Sequence, residues 1–458
     1  MHVTDLDDRA SRFTAFSTPP FRDVESRTRV WRALRPAANQ GNGIIQRLLE
    51  SPAMPPTLDI DRIRARFPAL SRLGNGAPAG YLDGPGGTQT PREVIEAMAG
   101  ALREGVSNLG GGFGPSARSG AITADARSAM GRLFNAASDE IVFGQNMTSL
   151  TFAMSRALAR TWESGDSIVV TSLDHDANFT PWEMAADDAG VHVRVAEFDV
   201  ADGTLDPVAV TDLIDDSTRL VAVPLASNAL GTVVDVAPIA AGAHEAGALV
   251  YVDAVHAAPH RAIDTRAIDC DFLVASAYKF FGPHTGILFG RQELLASLRA
   301  YKVRPAPAEP PGKWETGTQS FESLAGVTAA VDYLTSLGEA EGRDGLMTAF
   351  ATIGERETLL GSRFLDGIGD MEHVYLYGIS EMGERRVSTF AVGVDGVHPS
   401  EVARYMASHG IYVWSGHYYA VNVMGRLGLD DGLVRIGFCH YNTTDEVDRA
   451  LELLTALG

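Results

Sequence analysis

Three polar residues follow apolar segments of the sequence at nearly equal intervals. Asn228, Asp253 and Lys279 are separated by 25 and 26 residues, and each comes at or just after a short run rich in valine, leucine and alanine. This interval is about one strand–helix–strand unit, and ligands of open parallel sheets bind at the carboxyl ends of the strands. The spacing therefore predicts that the three side chains meet in one crevice.

The surroundings of Lys279 predict a reactive amine. The lysine lies between aromatic residues and glycine in SAYKFFG (276–282). Desolvation lowers the pKa of a lysine and makes its amine a nucleophile that forms Schiff bases. Pyridoxal phosphate requires such a lysine and an acidic partner for its pyridinium nitrogen, which Asp253 could supply. Taken singly, a lysine at a strand end also suits a sheet edge, and an aspartate there also suits a helix cap.

The apolar runs around these residues predict an α/β domain. They are four to six residues long and do not alternate with polar residues, which is the pattern of strands buried on both faces of a sheet. Predicted strands cover residues 167–172, 220–225, 248–253, 272–276 and 286–289. Helical patterns lie near 149–163, 179–190, 236–247 and 291–300. This alternation of strands and helices indicates a mostly parallel sheet.

A smaller α+β domain is predicted after a proline-rich stretch at 304–312. Helical periodicity covers residues 323–337 and 345–368, and strands at 387–394 and 434–438 flank a helix near 399–409. We divide the chain into four parts on this basis. They are an N-terminal extension (1–57), a segment joining the small domain (58–80), a large cofactor-binding domain (81–312) and a connecting helix with the small C-terminal domain (313–458).

The first 57 residues differ in composition from the rest of the chain. They contain eight arginines, no lysine, six acidic residues and several prolines. We expect a partly disordered extension outside the main fold, with one short helix at 27–34. Met54 stays open as an alternative start of the protein.

Composition excludes several functional classes. The chain has 458 residues, 45% of them hydrophobic, which fits a folded globular protein. A formal net charge of −20 disfavours binding to nucleic acid, and no run approaches the ~20 apolar residues of a membrane span. The two cysteines, Cys270 and Cys439, exclude a disulfide framework and a zinc ribbon, so no metal is expected. The low cysteine count fits the reducing cytoplasm.

Seven motifs occur together in a characteristic order. They are YLDGPGGTQTP (81–91), DHDAN (174–178), SNALGTVVDV (227–236), VDAVHAAPH (252–260), SAYKFFGP (276–283), WETGTQ (314–319) and VRIGFCHYNT (434–443). With them the chain, from about residue 58 onward, resembles the class V aminotransferase family of pyridoxal-phosphate enzymes, and most closely its cysteine desulfurase-like branch. The resemblance implies an aspartate aminotransferase-like fold, an amino-acid substrate and a homodimer with shared active sites.

The resemblance also implies roles around the cofactor ring. Lys279 would form the Schiff base and later transfer protons, and Asp253 would pair with the pyridinium nitrogen. His175 would stack on the ring face. Asn228 and His256 would contact the phenolic oxygen, although most desulfurases have glutamine in place of His256.

Phosphate and carboxylate contacts follow from the same resemblance. The phosphate residues would be Met147, Thr148, Ser276, Tyr278 and, from the neighbouring subunit, Thr318. The family's Gly-Thr pair is replaced by Asn146 and Met147, and its usual histidine by Tyr278. Arg435 would bind the substrate carboxylate, a task that suits a bidentate guanidinium.

One loop departs from the family pattern at the position of its nucleophilic cysteine. The stretch 414–420 reads WSGHYYA, with Tyr419 where the closest desulfurases have cysteine. A phenol cannot accept a persulfide sulfur. Trp414, His417, Tyr418 and Tyr419 would instead form an aromatic pocket, with Tyr419 or His417 as a general acid toward a leaving group. Simple packing of these side chains at a domain interface stays open.

Three functions remain in competition at this point. The leading hypothesis is a lyase that performs β-elimination or C–S cleavage on an S-substituted cysteine or related amino acid. An aminotransferase or amino-acid epimerase on the same scaffold is the alternative. A non-catalytic protein that has kept the fold is the third.

Overall fold

The computed structural model describes residues 58–74 and 76–458. The N-terminal extension with its predicted helix at 27–34 lies outside the described residues. The first described segment contains helix α1 (Ile60–Arg64), the antiparallel pair β1 (Leu73–Gly74) and β2 (Ala77–Pro78), and strand β3 (Gly80–Tyr81). A 3-10 turn (Gly84–Gly86) follows β3.

A seven-stranded sheet forms the centre of the larger part of the chain. Its strands are β4 (Ile141–Gly144), β5 (Ser167–Thr171), β6 (His192–Ala196), β7 (Thr218–Pro224), β8 (Leu249–Asp253), β9 (Phe272–Ser276) and β10 (Gly286–Gly290). They lie in the order β4-β10-β9-β8-β7-β5-β6. Strands β5 to β9 pair in parallel, whereas β10 is antiparallel to both of its neighbours. The predicted α/β class with a mostly parallel sheet is confirmed.

Helices cover both faces of this sheet. They are α2 (Arg92–Glu104), α3 (Gly114–Phe134), α4 (Met147–Leu158), α5 (Thr180–Ala189), α6 (Pro207–Thr211), α7 (Val236–Glu245), α8 (Thr265–Ile268) and α9 (Gln292–Ser297). Successive residues of β5 belong to different apolar clusters, with Val169 on one side and Ile168 and Val170 on the other. Burial on both faces explains why this strand reads as a continuous apolar run.

The C-terminal part is built on a smaller antiparallel sheet. Its strands are β11 (Val374–Tyr377), β12 (Thr389–Val394), β14 (Trp414–Gly416) and β15 (Leu433–Gly437), in the order β11-β12-β15-β14, while β13 (Ile411–Tyr412) pairs in parallel with β3. The helices are α10 (Phe321–Thr335), α11 (Gly342–Gly369), α12 (Pro399–Ser408), α13 (Val421–Leu427) and α14 (Thr444–Thr455).

Two details differ from the sequence expectations. The two cysteines lie outside the strands, with Cys270 just before β9 and Cys439 just after β15, and both are buried as is typical of structural cysteines. Helix α4 begins at Met147 and not at residue 149, because the Asn146 side chain caps it by accepting the N–H of Ser149 at 2.9 Å. Within the described residues, no helix has the length and apolar character needed to cross a membrane.

Candidate active site

The three strand-end residues lie at one edge of the large sheet, as their spacing predicted. Asp253 is the last residue of β8, Lys279 ends a 3-10 turn directly after β9, and Asn228 follows β7 by four residues. Strands β7, β8 and β9 are parallel neighbours, so their carboxyl ends are adjacent. All three side chains are buried. We call the region at these adjacent strand ends, with the polar side chains that face it, the crevice.

Lys279 has the properties of a reactive amine. Its Nζ donates a hydrogen bond to the carbonyl oxygen of Pro85, in the turn after β3. Burial lowers the pKa of Lys279 to about 7, and the positive charge of Arg435 acts in the same direction. A large fraction of this amine is therefore neutral near pH 7.

Asp253 is a buried carboxylate close to this amine. Its Oδ1 accepts the backbone N–H of Val255 at 2.8 Å. Burial raises the pKa of Asp253 to about 6, while the Val255 hydrogen bond and the charge of Lys279 oppose that rise. The side chain is consequently ionised above about pH 6 and suited to pair with a protonated ring nitrogen.

The start of α4 meets the end of β9 at the candidate phosphate site. The backbone N–H of Met147 donates to Ser276 Oγ at 3.0 Å, and Thr148 is the next residue of the helix. A helix N-terminus that presents N–H groups and hydroxyls suits an anion. Tyr278, after β9, stacks on His284 with ring centroids 4.9 Å apart and planes 7° from parallel.

Thr318 stands apart from these residues. It is exposed on the segment between Trp314 and α10. Among the described residues, no hydrogen bond joins Thr318 to another of the candidate phosphate residues.

The loop between β14 and α13 bends onto the large sheet. Tyr418 and Tyr419 both adopt left-handed backbone conformations, with φ of 51° and 57°. The Tyr418 carbonyl accepts Asn228 Nδ2–H at 2.9 Å, and the Tyr419 carbonyl accepts the N–H of Asp176 at 2.6 Å. Two strained residues in succession persist only when surrounding contacts fix them. The loop is therefore fastened to the large-sheet side of the crevice.

His175 contacts this loop through its ring. It stacks on Tyr419 with centroids 5.6 Å apart and planes 20° from parallel, and its Nδ1 accepts the N–H of Ala177 at 3.0 Å. Burial lowers the pKa of His175 to about 4, helped by the charges of Lys279 and Arg435. The imidazole is thus neutral at physiological pH.

Tyr419, His417 and Trp414 are on the outer side of the loop. Tyr419 is 66% exposed and Trp414 55% exposed. His417 Nδ1 accepts the N–H of Tyr419 at 3.1 Å. The Trp414 indole packs against Gly86, where a Cβ would come within 2.5 Å of its Nε1. These side chains form a rim around the crevice, whereas Tyr418 points inward.

Arg435 is a buried cation beside the crevice with unused hydrogen-bonding capacity. Its Nη1 donates to the backbone carbonyl of Asn228 at 2.9 Å, and its guanidinium lies 4.4 Å from the centroid of the Tyr418 ring. Burial lowers its pKa to about 10, so it stays charged at neutral pH. Arg435 Nε and Asn228 Oδ1 are buried, and neither has a hydrogen-bond partner among the residues that the structure describes. Unpaired buried groups of this kind fit a site for a polar ligand.

Sequence reasoning missed two residues of the turn after β3. Burial raises the pKa of Asp83 to about 6, with the charges of Arg435 and Lys279 opposing the rise. Its Oδ1 is buried and has no hydrogen-bond partner within the described part of the chain. Thr88 accepts the N–H of Phe281 at 2.8 Å and donates to the Tyr278 carbonyl at 3.1 Å. The motif YLDGPGGTQTP contained both, but its glycines and proline gave no strand or helix pattern by which to place them.

A buried lysine and a buried carboxylate therefore lie at neighbouring strand ends of an α/β fold. A family model of aminotransferase class V matches residues 80–450. The chain belongs to this family and is a pyridoxal-phosphate-dependent enzyme. Its buried lysine and carboxylate, the helix N-terminus and the unpaired polar atoms fit that cofactor. The predicted pyridoxal-phosphate enzyme is thus confirmed over the third alternative, a non-catalytic protein that has kept the fold.

Named relatives lie in the cysteine desulfurase group. A cysteine desulfurase of Serratia proteamaculans (strain 568) is 32% identical over 406 residues, which are 85% of this chain and 96% of that protein. Among solved structures, the apo cysteine desulfurase of Thermococcus onnurineus NA1 matches with a TM-score of 0.79 and 26% identity, covering 89% of this chain and 99% of that one. A cysteine desulfurase of Escherichia coli matches with a TM-score of 0.77 and 25% identity, over 88% and 99% of the chains.

Proposed function

We propose that this enzyme is a carbon–sulfur lyase that performs β-elimination on S-substituted cysteines or related amino acids. The observation that carries the proposal is the residue at position 419. The relatives bear the name cysteine desulfurase, and in that chemistry a cysteine thiolate accepts the sulfur. Here the matching loop presents a tyrosine, 66% exposed at the rim of the crevice.

The two cysteines of the chain are poor substitutes for such a nucleophile. Cys270 and Cys439 are both buried. Burial raises the pKa of each thiol, well above the ordinary value for Cys439. Because the thiolate and not the thiol is the nucleophile, neither sulfur is ready to attack a substrate.

The cofactor, when bound, supplies an electron sink for a carbanion at the substrate Cα. The residues we assign to it are Lys279 for covalent attachment, Asp253 for the pyridinium nitrogen, His175 for the ring face, Asn228 and His256 for the phenolic oxygen, and Met147, Thr148, Ser276, Tyr278 and the partner subunit's Thr318 for the phosphate.

The substrate is held and converted by the remaining residues. Arg435 binds the carboxylate, with Tyr418 packed on its guanidinium and Trp414 at the rim. Lys279 removes the Cα proton. The Cβ–S bond then breaks, its electron pair leaves with sulfur, and Tyr419 or His417 protonates the departing thiolate. Addition of water to the remaining unsaturated amino acid gives a 2-keto acid and ammonia, so one substrate and one water yield thiol, keto acid and ammonia.

Product analysis tests this proposal. The cofactor-loaded enzyme is incubated with a panel of S-substituted cysteines and common amino acids, with and without an added 2-keto acid. We expect thiol, keto acid and ammonia in equal amounts without an acceptor. Turnover that requires the acceptor would identify an aminotransferase. Exchange of the Cα hydrogen without elimination would identify an epimerase.

Removal of both thiols should leave this activity intact. We expect the double variant Cys270→Ala, Cys439→Ala to retain turnover within about twofold, because neither sulfur takes part in the elimination. Its unfolding temperature should fall, since both side chains are buried. The assay compares rates at a temperature where both proteins are folded. Sulfide or alanine produced from free cysteine by the parent enzyme, and lost in the variant, would contradict the proposal.

Attachment of the cofactor should accelerate as pH rises. The neutral amine of Lys279 is the nucleophile, and its pKa of about 7 places the change in the neutral range. Raising the pH from 6 to 8 should increase the rate of covalent attachment to the apoenzyme about tenfold. Stopped-flow absorbance measures that rate. Binding of a cofactor analogue that lacks the aldehyde, measured at both pH values, controls for the titration of Asp253. A rate of covalent attachment that is equal at both pH values would refute the assignment of Lys279 as the nucleophile.

We also propose a homodimer in the cytoplasm. The exposed position of Thr318, apart from the other phosphate residues, suits a contact with a second copy of the chain. Two buried free cysteines suit a reducing compartment. Sedimentation of the cofactor-loaded protein distinguishes the dimer from a monomer.

A further inference from the structure

His256 has a hydrogen-bond partner on the small sheet. Its Nε2 lies 3.0 Å from Oγ1 of Thr389, the first residue of β12. Both side chains are buried, although they come from opposite parts of the chain. A buried polar contact between two packed units is costly to break, because each group would lose its partner away from water. This contact links the small sheet to the segment after Asp253.

Thr389 is held in a fixed position. Its N–H donates to the Val387 carbonyl and its own carbonyl accepts from Arg386 Nη2, both at 2.7 Å. The Val387 N–H in turn donates to the Gly231 carbonyl at 2.9 Å. Gly231 has φ of 76°, and a Cβ there would collide with the Thr389 carbonyl oxygen. Close backbone packing thus fixes the hydroxyl relative to the loop that carries Asn228.

His256 is a neutral imidazole. Burial lowers its pKa well below the ordinary value. The charged or titratable groups that face His256 also lower its pKa. These groups are His260, Lys279, Arg435 and His175. His260 is itself paired with Glu357, with Nδ1 2.7 Å from Oε2. A neutral imidazole has one N–H donor and one acceptor, and the partner of one nitrogen sets the role of the other.

We propose that Thr389 is a positioning residue that sets the tautomer of His256. Its hydroxyl donates to Nε2, which keeps the ring proton on Nδ1 as a donor to the phenolic oxygen of pyridoxal phosphate. The two tautomers differ only in which ring nitrogen carries the proton, and no bond between heavy atoms forms or breaks. The inference depends on the cofactor and on the assigned role of His256, and it holds for a lyase or an aminotransferase alike. Through this bond the small sheet stabilises the anionic phenolic oxygen.

Thr389→Val and Thr389→Ser form the test. Valine keeps the shape and removes the hydroxyl, whereas serine keeps the hydroxyl. We expect valine to weaken pyridoxal-phosphate affinity roughly threefold to tenfold, the effect of one lost hydrogen bond. It should also raise, by roughly half to one unit, the pH at which the absorption band of the bound cofactor changes. Serine should restore most of both properties. Neither readout requires a substrate.

Two controls separate tautomer control from simple packing. Thr232→Val removes a buried hydroxyl at the same junction, one that donates to the Gly203 carbonyl at 2.7 Å, and should leave the absorption midpoint unchanged. In a His256→Ala background, Thr389→Val should have no further effect on the midpoint. An unchanged midpoint in Thr389→Val, an equal change in Thr389→Ser, or additive effects with His256→Ala would each overturn the proposal.

Discussion

Replacing Lys279 by alanine should abolish covalent attachment of the cofactor and reduce turnover by about 10²–10⁴-fold. The amine is buried at the end of β9 with a pKa of about 7, so it combines nucleophilicity with the ability to take up a proton. Borohydride reduction followed by mass spectrometry measures the attachment. The parent enzyme should gain the mass of the reduced cofactor, and the Lys279→Ala variant should not.

Lys313 provides a matched control for this experiment. It is also a buried lysine, and its Nζ also donates to a carbonyl, that of Ala296 at 2.7 Å. Lys313→Ala should lower the unfolding temperature but retain the attachment. The Lys279→Ala variant should still bind the cofactor without a covalent bond, because the phosphate and ring contacts remain. If borohydride reduction trapped the cofactor on Lys279→Ala to the same extent as on the parent enzyme, the Schiff base would have to form on another lysine.

The strand-end residues could be predicted because their signal is local. The apolar runs before Asp253 and Lys279 indicate strands that are buried on both faces of a sheet. The spacing of the residues alone indicates that the carboxyl ends of these strands are adjacent. The apolar pattern does not report the direction of a strand. The antiparallel pairing of β10 (Gly286–Gly290) could therefore not be predicted from it. Strand β6 (His192–Ala196) was missed because it is a partly exposed edge strand with mixed polar residues.

The contacts that shape the crevice depend on the tertiary fold. Thr389 reaches His256 across 133 positions of sequence, and Lys279 reaches Pro85 across 194. Asp83 acquires its raised pKa through burial, against the opposing charges of Arg435 and Lys279. Neither periodicity nor composition encodes such pairings. The left-handed conformations of Tyr418 and Tyr419 likewise had no sequence signal, because neither is a glycine or an asparagine.

In the Arg435→Ala variant, we expect that about a hundredfold more amino acid is needed to produce the same change in the cofactor spectrum. The guanidinium is buried and charged, and no residue in the described ranges 58–74 and 76–458 pairs with its Nε. A carboxylate in the crevice would therefore meet a desolvated cation. Equilibrium titration of the holoenzyme with each amino acid of the panel measures this concentration. Arg435→Lys should recover only part of the affinity, because an ammonium cannot form the bidentate contact.

The decarboxylated amine of each amino acid provides the sharpest comparison. Such an amine cannot use Arg435, so its binding to the parent enzyme should be weak and should change little in Arg435→Ala. Arg426→Ala controls for loss of a positive charge on α13, where the side chain pairs with Glu197 and the Phe198 carbonyl. This variant should leave the amino-acid titration unchanged. If Arg435→Ala weakened the amine as much as the amino acid, the residue would stabilise the crevice and not select a carboxylate. The substrate would then be sought among amines without an α-carboxylate.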